Sequence, residues 1–207
     1  DACHLRIHRY CASRAISFCA ALLISGGHRN GCTSPSPPLV GCVHLATYMT
    51  SHPIIRRLGA VDAPEFVGLV RALAETGGVA GPDDAAAERL VHAALTDSPP
   101  FEVRLAEVDG HVVGYMVFFM TYSTFLGKPS LFIEDMFVVG DARGHGVGVA
   151  LFDAAVAEAL ARDCCRIDWS APKRLVGAVA FYRARGARTR DDWHLFRLDG
   201  DGLALPR

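Results

Sequence analysis

Between Pro53 and Asp199 the apolar residues recur at two different periods, and the switches between them mark the elements. "PIIRRLG" (53–59) reads as a short strand. Asp62, Pro64 and Glu65 then form a helix start, with a capping acid, a first-turn proline and a second acid three residues on. Phe66, Leu69, Val70 and Leu73 follow at helical spacing, and Gly77-Gly78 ends that helix. Pro82 and Asp83 open a second helix carrying Ala86, Leu90, Ala93, Ala94 and Leu95, which Pro99-Pro100 stops.

After the prolines the period drops to two. "FEVRLAEV" (101–108) alternates as a half-buried strand does, and Asp109-Gly110 is a strong hairpin signal. "HVVGYMVFFMTYS" (111–123) returns as a longer, more buried strand. "FLGKPS" reads as a loop, and "LFIEDMFVV" (131–139) as the next strand. A helix from about 145 to 162 carries Val147, Ala150, Leu151, Ala154, Ala155 and Ala159. "RIDWSA" (166–171) is strand-like, "VGAVAFYRARGA" (176–187) is a helix ending at Gly186, and "WHLFRLD" (193–199) is a last strand. The order predicts one α/β domain, a mixed sheet flanked by helices, with a strand meander before a βαβ-like unit.

Composition narrows the possibilities. The chain has 207 residues, 51% of them hydrophobic, enough for one well-buried domain. A net charge of −1 argues against a general nucleic-acid binder. No apolar run reaches the length of a membrane span. Residues 1–48 differ in character: they are nearly acid-free, hold Cys3, Cys11, Cys19, Cys32 and Cys42, and lack a clean period. A signal peptide (Arg14 before "AISFCAALLI"), a transit peptide and a metal tail (His4, His8, Cys11) are readings of this segment. None completes a zinc ligand set. The preferred reading is that 1–48 is an extension outside the fold, upstream of a start at Met49, and that 49–207 is the domain. The adjacent Cys164 and Cys165 cannot easily bridge each other, so the domain reads as a reduced, cytoplasmic protein.

One stretch carries chemistry. The strand ending at Val139 is followed by Arg143 and by glycines at 144, 146 and 148, where a helix begins. A helix N-terminus presents unpaired N–H groups and partial positive charge, and glycines let an anion reach them. A Walker loop would need Gly-Lys-Ser/Thr, but Val149 and Ala150 stand there; the spacing also fails a dinucleotide fingerprint. What fits is Arg-x-x-Gly-x-Gly, as Arg143, Gly146 and Gly148.

With that turn, "TYSTFLGKPSLFIEDMFV", "FYRARGA" and "DWHLFRL" occur in an order and spacing that resembles the GNAT superfamily of N-acetyltransferases, in particular its diamine (spermidine/spermine) branch. The resemblance runs from about Ile54 to Leu198. It implies the GNAT acyl-CoA N-acyltransferase fold and acetyl transfer from acetyl-CoA to a primary amine, by direct attack in a ternary complex. It implies that Met136, Phe137 and Val138 pair with the pantetheine arm by strand addition. It places Arg143, Gly144, His145, Gly146, Val147, Gly148 and Val149 around the pyrophosphate. Tyr182 is implied as general acid toward the departing thiolate, and Glu134 as the carboxylate that takes a proton from the substrate ammonium. A homodimer is implied as well.

The remaining acids are weighed one by one. Asp135 points to the opposite face from Glu134 if the strand is regular, and is either a substrate contact or a structural acid. Asp168 and Asp191, with Asp192, are further amine-facing candidates that read equally as solvated charges. The branch has an Asn before the "FY" helix where Leu175 stands here. It also has an acid near the end of the first helix, where Thr76 and Gly77-Gly78 stand. The predicted substrate is a polyamine, a diamine or a lysine-like amine. A non-catalytic acyl-CoA-binding domain, or an enzyme for peptide amines or amine drugs, is the alternative. No metal, nucleic acid or membrane partner is expected.

Overall fold

A computed structural model describes residues 51–199; the readings made for residues 1–48 lie outside that range. The chain runs β1 (Ile54–Arg57), α1 (Ala63–Gly77), α2 (Asp84–Ala94), β2 (Glu102–Val108), β3 (His111–Ser123), β4 (Lys128–Val138), α3 (Val147–Ala161), β5 (Ile167–Trp169) and α4 (Val176–Ala184). The sheet order is β1-β2-β3-β4-β5. The first four strands are antiparallel neighbours, and α3 crosses over to bring β5 in parallel beside β4. The predicted meander and βαβ unit are both present.

Local chemistry explains the boundaries. Asp109 and Gly110 both have positive φ (50° and 79°), as the tight turn between β2 and β3 requires. Asp83 caps α2 by accepting the Ala86 N–H at 2.7 Å. Gly78 ends α1 in the left-handed region. Asp62 departs from expectation. It stands before α1 but gives no side-chain cap. Its carboxylate instead accepts both terminal nitrogens of Arg56, at 2.6 and 2.8 Å, and the Gly59 N–H at 2.8 Å. Arg56 also donates to Glu107 on β2, so this ion pair fastens the strand edge to the start of α1.

The sheet separates two apolar clusters. One lies under α3 and holds Met116, Phe118, Leu131, Ile133, Leu151, Phe152 and Ala155. The other lies under α1 and α2 and holds Phe66, Leu69, Val103, Leu105, Tyr115, Val117 and Phe137. Between β2 and α3 the buried Arg104 bridges Glu102 and Glu158, and its guanidinium lies 5.2 Å from the Phe118 ring centroid. Gly114 lets β3 pass close to β4: a Cβ there would stand 2.7 Å from the Phe137 carbonyl oxygen.

Two expectations need correction. "FLGKPS" is not all loop. Lys128, Pro129 and Ser130 pair with Ser123, Tyr122 and Thr121, leaving a four-residue turn at 124–127. The long β3 needs a partner along its full length, and the start of β4 supplies it. The strand expected at 193–199 does not form, and Trp193, Leu195, Phe196 and Leu198 stay exposed. Alternation marks a strand only where a neighbour takes the backbone hydrogen bonds and a layer covers the apolar face; among the described residues neither is present. No helix of the described residues is long and apolar enough to cross a membrane.

Candidate active site

The turn before α3 has the expected construction. Gly144 and Gly146 adopt φ of 82° and 85°, a region that side chains with a Cβ resist. The first intrahelical bond runs from the Ala150 N–H to the Gly146 carbonyl, so the N–H groups of Val147, Gly148 and Val149 have no acceptor within the helix. No side chain caps this end, and no acid sits in the first turn. Residues 143–146 are exposed, whereas Val147 is buried and anchors the helix. Arg143 lies over the Phe137 ring at 5.5 Å and donates to the Val138 carbonyl at 2.8 Å, which ties the turn to the end of β4. His145 hydrogen-bonds the Arg143 carbonyl through Nδ1. A pyrophosphate fits this place: backbone donors, a nearby guanidinium and glycines that allow close approach.

β4 leads straight to that turn, and its outer edge is open where it approaches it. β5 pairs with β4 only across Leu131↔Ile167, Phe132↔Asp168 and Ile133↔Trp169. β5 ends at Trp169, opposite Ile133, while β4 continues through Met136, Phe137 and Val138 to its end. An extended amide-bearing chain fits beside those residues, where no strand of the described residues lies.

β5 ends next to a bulge in β4. Val117 pairs with Asp135 but Phe118 pairs with Ile133, so Glu134 is the extra residue. The bulge changes the face count. Leu131 and Ile133 pack under α3, yet beyond the bulge it is Met136 and Val138 that face that side. Glu134 and Asp135 therefore both turn toward α1 and α2, where they line one cavity of about 430 Å³. The expectation that Asp135 faces away from Glu134 holds only for a regular strand and is overturned. The other walls are Phe66, Val70, Leu90, Pro100, Phe101, Val117 and Phe119, all apolar. Glu134 is exposed and Asp135 half-buried. Burial pushes the Asp135 carboxyl up, the Glu134 charge adds to this, and the Tyr115 hydroxyl opposes it.

Tyr182 lies on the other side of the sheet, half-buried against the α3 cluster. Its ring is 4.9 Å from Trp169, 5.3 Å from Phe181 and 6.2 Å from Phe152. Burial raises its phenol pKa, so it carries its proton at neutral pH. Trp169 is the last residue of β5, and it sets Tyr182 beside the end of that strand, opposite Ile133.

The other candidate acids are not brought to this place. Asp168 pairs with Arg166 at 2.6 Å, and Asp191 accepts from Thr189 in the exposed segment after α4. Neither lines the cavity. Leu175 precedes α4 and gives no side-chain cap, as its apolar chemistry dictates. Trp169, Tyr115 and the cavity walls were missed by the sequence reading. Their apolar patterning marks them only as core.

The architecture is that of a GNAT domain: a mixed five-stranded sheet, with β4 running on past the end of β5, and a glycine turn opening the helix after it. The chain matches the Acetyltransferase (GNAT) family over residues 60–187 and belongs to it. It is 36% identical over 92 residues to L-ornithine N5-acetyltransferase NATA1 of Arabidopsis thaliana, covering 44% of this chain and 40% of that protein. The match to the human spermidine/spermine N(1)-acetyltransferase-like protein 1 spans 23% of that protein, so the chain accounts for less than half of either relative. It is 28% identical over 166 residues to thialysine N-epsilon-acetyltransferase of Bos taurus, covering 72% of this chain and 94% of that one. Among solved structures, an integron cassette protein from V. cholerae superposes with a TM-score of 0.65 at 25% identity, over 73% of this chain and 95% of that one. An aminoglycoside N-acetyltransferase, AAC(6')-Iy in complex with CoA, superposes at 0.60 over 70% and 94%; at 19% identity that likeness concerns the fold.

Proposed function

We propose that the protein transfers an acetyl group from acetyl-CoA to the primary amine of a small aliphatic substrate, a diamine, polyamine or lysine-like molecule. One observation carries this reading: β5 ends opposite Ile133 and leaves the edge of β4 open from Glu134 on, with Tyr182 on one face of the sheet and the Glu134–Asp135 cavity on the other. The backbone of Met136, Phe137 and Val138 holds the pantetheine arm along the open edge of β4. The turn from Arg143 to Val149 holds the pyrophosphate. Glu134, exposed at the cavity mouth, accepts a proton from the substrate ammonium, because only the neutral amine has a lone pair for attack. As the new C–N bond forms and the thioester C–S bond breaks, Tyr182 donates its proton to the leaving thiolate, and the proton shed by the new amide nitrogen restores the phenol through solvent. The apolar walls suit the methylene stem of the substrate, and the two carboxylates suit its cationic end.

The relatives named for ornithine, spermidine/spermine and thialysine substrates support an amine of this class. The decisive experiment incubates the full chain with acetyl-CoA and a panel of diamines, polyamines, lysine analogues and monoamines, and follows free thiol release. Amine-dependent release is expected. Thiol release that no amine accelerates would refute transfer to this class. We also propose that the chain forms a homodimer that covers the exposed Trp193, Leu195, Phe196 and Leu198, and that it works in the cytoplasm, where its two described cysteines stay free thiols.

A further inference from the structure

Tyr115 is fully buried, and its hydroxyl is the one buried side-chain polar atom among the described residues without a hydrogen-bond partner. Its ring is held edge-on by Phe66 at 5.4 Å and tilted against Phe137 at 6.4 Å. A phenylalanine would fill that space without burying a hydroxyl, and burying one unpaired is costly. The hydroxyl therefore calls for a polar neighbour, and the register supplies one. Val117 pairs with Asp135 and Tyr115 pairs with Phe137, so Tyr115 and Asp135 are diagonal neighbours on the face toward α1. At that spacing a long aromatic side chain reaches its partner. The relation exists only because of the bulge at Glu134. In a regular strand continued from Ile133, Val117 would pair with Glu134 and Asp135 would turn to the α3 face.

We propose that Tyr115 is a positioning residue for amine recognition: its hydroxyl closes onto the Asp135 carboxylate from behind while a substrate ammonium binds the same carboxylate from the cavity. This rests on the amine-acetyltransferase reading above. The carboxylate is then held between two donors, an O–H from the core and an N–H from the ligand. The surroundings leave few competitors. Asp135 meets Glu134 on its own strand and Tyr115 from β3, while α1, α2 and residues 100–101 present Phe66, Val70, Leu90, Pro100 and Phe101, none of them charged. Burial and the Glu134 charge both hold the Asp135 carboxyl up, and Tyr115 is the group acting in the other direction. Losing the hydroxyl moves Asp135 further up, so the ionised form and the ammonium site disappear at a higher pH.

The test compares the full chain with Tyr115→Phe, Asp135→Asn and the double variant. For Tyr115→Phe the amine KM should rise by about ten-fold or more, as expected for losing a hydrogen bond to a charged group. The acid limb of kcat/KM should move to higher pH, with kcat at saturating amine and CoA affinity nearly unchanged. Melting temperature should change little, because the ring keeps its contacts with Phe66 and Phe137. In the Asp135→Asn background Tyr115→Phe should add nothing to KM. An unmoved KM and acid limb would overturn the proposal. So would a loss of melting temperature accompanied by an equal loss of CoA affinity, which marks a packing role. Calorimetric titration with n-hexylamine separates this proposal from the acetyl-transfer reading. Weaker hexylammonium binding by Tyr115→Phe supports the role of Tyr115 even if no acetyl transfer is found. Equal binding by both proteins refutes it.

Discussion

Replacing Gly146 by valine tests the proposed phosphate-binding turn most directly. Gly146 sits at φ 85° and ψ −5°, just before the first helical residue of α3. No atom lies within 4 Å of a Cβ built there, so the substitution meets no clash. Its cost is conformational. A side chain with a Cβ in the left-handed region costs about 1–3 kcal/mol. For a domain of this size that corresponds to a loss of about 2–12 °C in melting temperature. If the turn keeps its shape, the isopropyl group stands over the helix N-terminus where a phosphate would approach. If the turn relaxes, the N–H groups of Val147, Gly148 and Val149 no longer converge. Either way about one hydrogen bond to a charged group is lost, worth about 1.5–3 kcal/mol, or roughly ten- to a hundred-fold in CoA affinity. Isothermal titration with CoA measures the affinity, and circular dichroism follows the fold. Gly68→Ala is the control: it lies inside α1 with open space around it, so helix propensity should raise stability by up to about 1 kcal/mol while CoA binding stays constant. A folded Gly146→Val protein with unaltered CoA affinity would refute the assignment.

Three further outcomes are expected. Tyr182→Phe keeps the ring contacts with Trp169, Phe181 and Phe152, so CoA binding should persist while turnover falls by about a hundred- to ten-thousand-fold; near-full turnover with chemistry rate-limiting would remove the proton-donor role. Glu134→Gln should displace the rise of activity to higher pH, toward the amine pKa near ~10, with partial recovery where solvent deprotonates the substrate; an unmoved profile would reduce Glu134 to a positioning role. Arg56 holds the Asp62 carboxyl below the usual carboxylate range, aided by the Gly59 N–H, although burial opposes them. This stabilisation is therefore present above pH ~4 and lost as pH falls through the lower folded value. Arg56→Ala should flatten that acid limb in melting experiments, and an identical acid profile would contradict it.

The sequence by itself determined most of the elements and the glycine turn before α3. Those signals are local: Asp109-Gly110 specifies its own turn, Asp83 caps its own helix, and the glycines before α3 specify backbone that only glycine adopts readily. The tertiary structure decided what faces what. Residues 193–199 alternate as a strand does, but alternation without a neighbour does not make one. The Glu134 bulge has no signature in composition, because Leu131, Ile133, Met136 and Val138 are apolar whichever face they occupy. That single extra residue nonetheless moves Asp135 across the sheet, beside Glu134 and in front of Tyr115. A strand's face assignment depends on the register of its partner, here the pairing of Val117 with Asp135 and of Phe118 with Ile133, and that register is set by packing against α1 and α3 rather than by the residues of β4 alone.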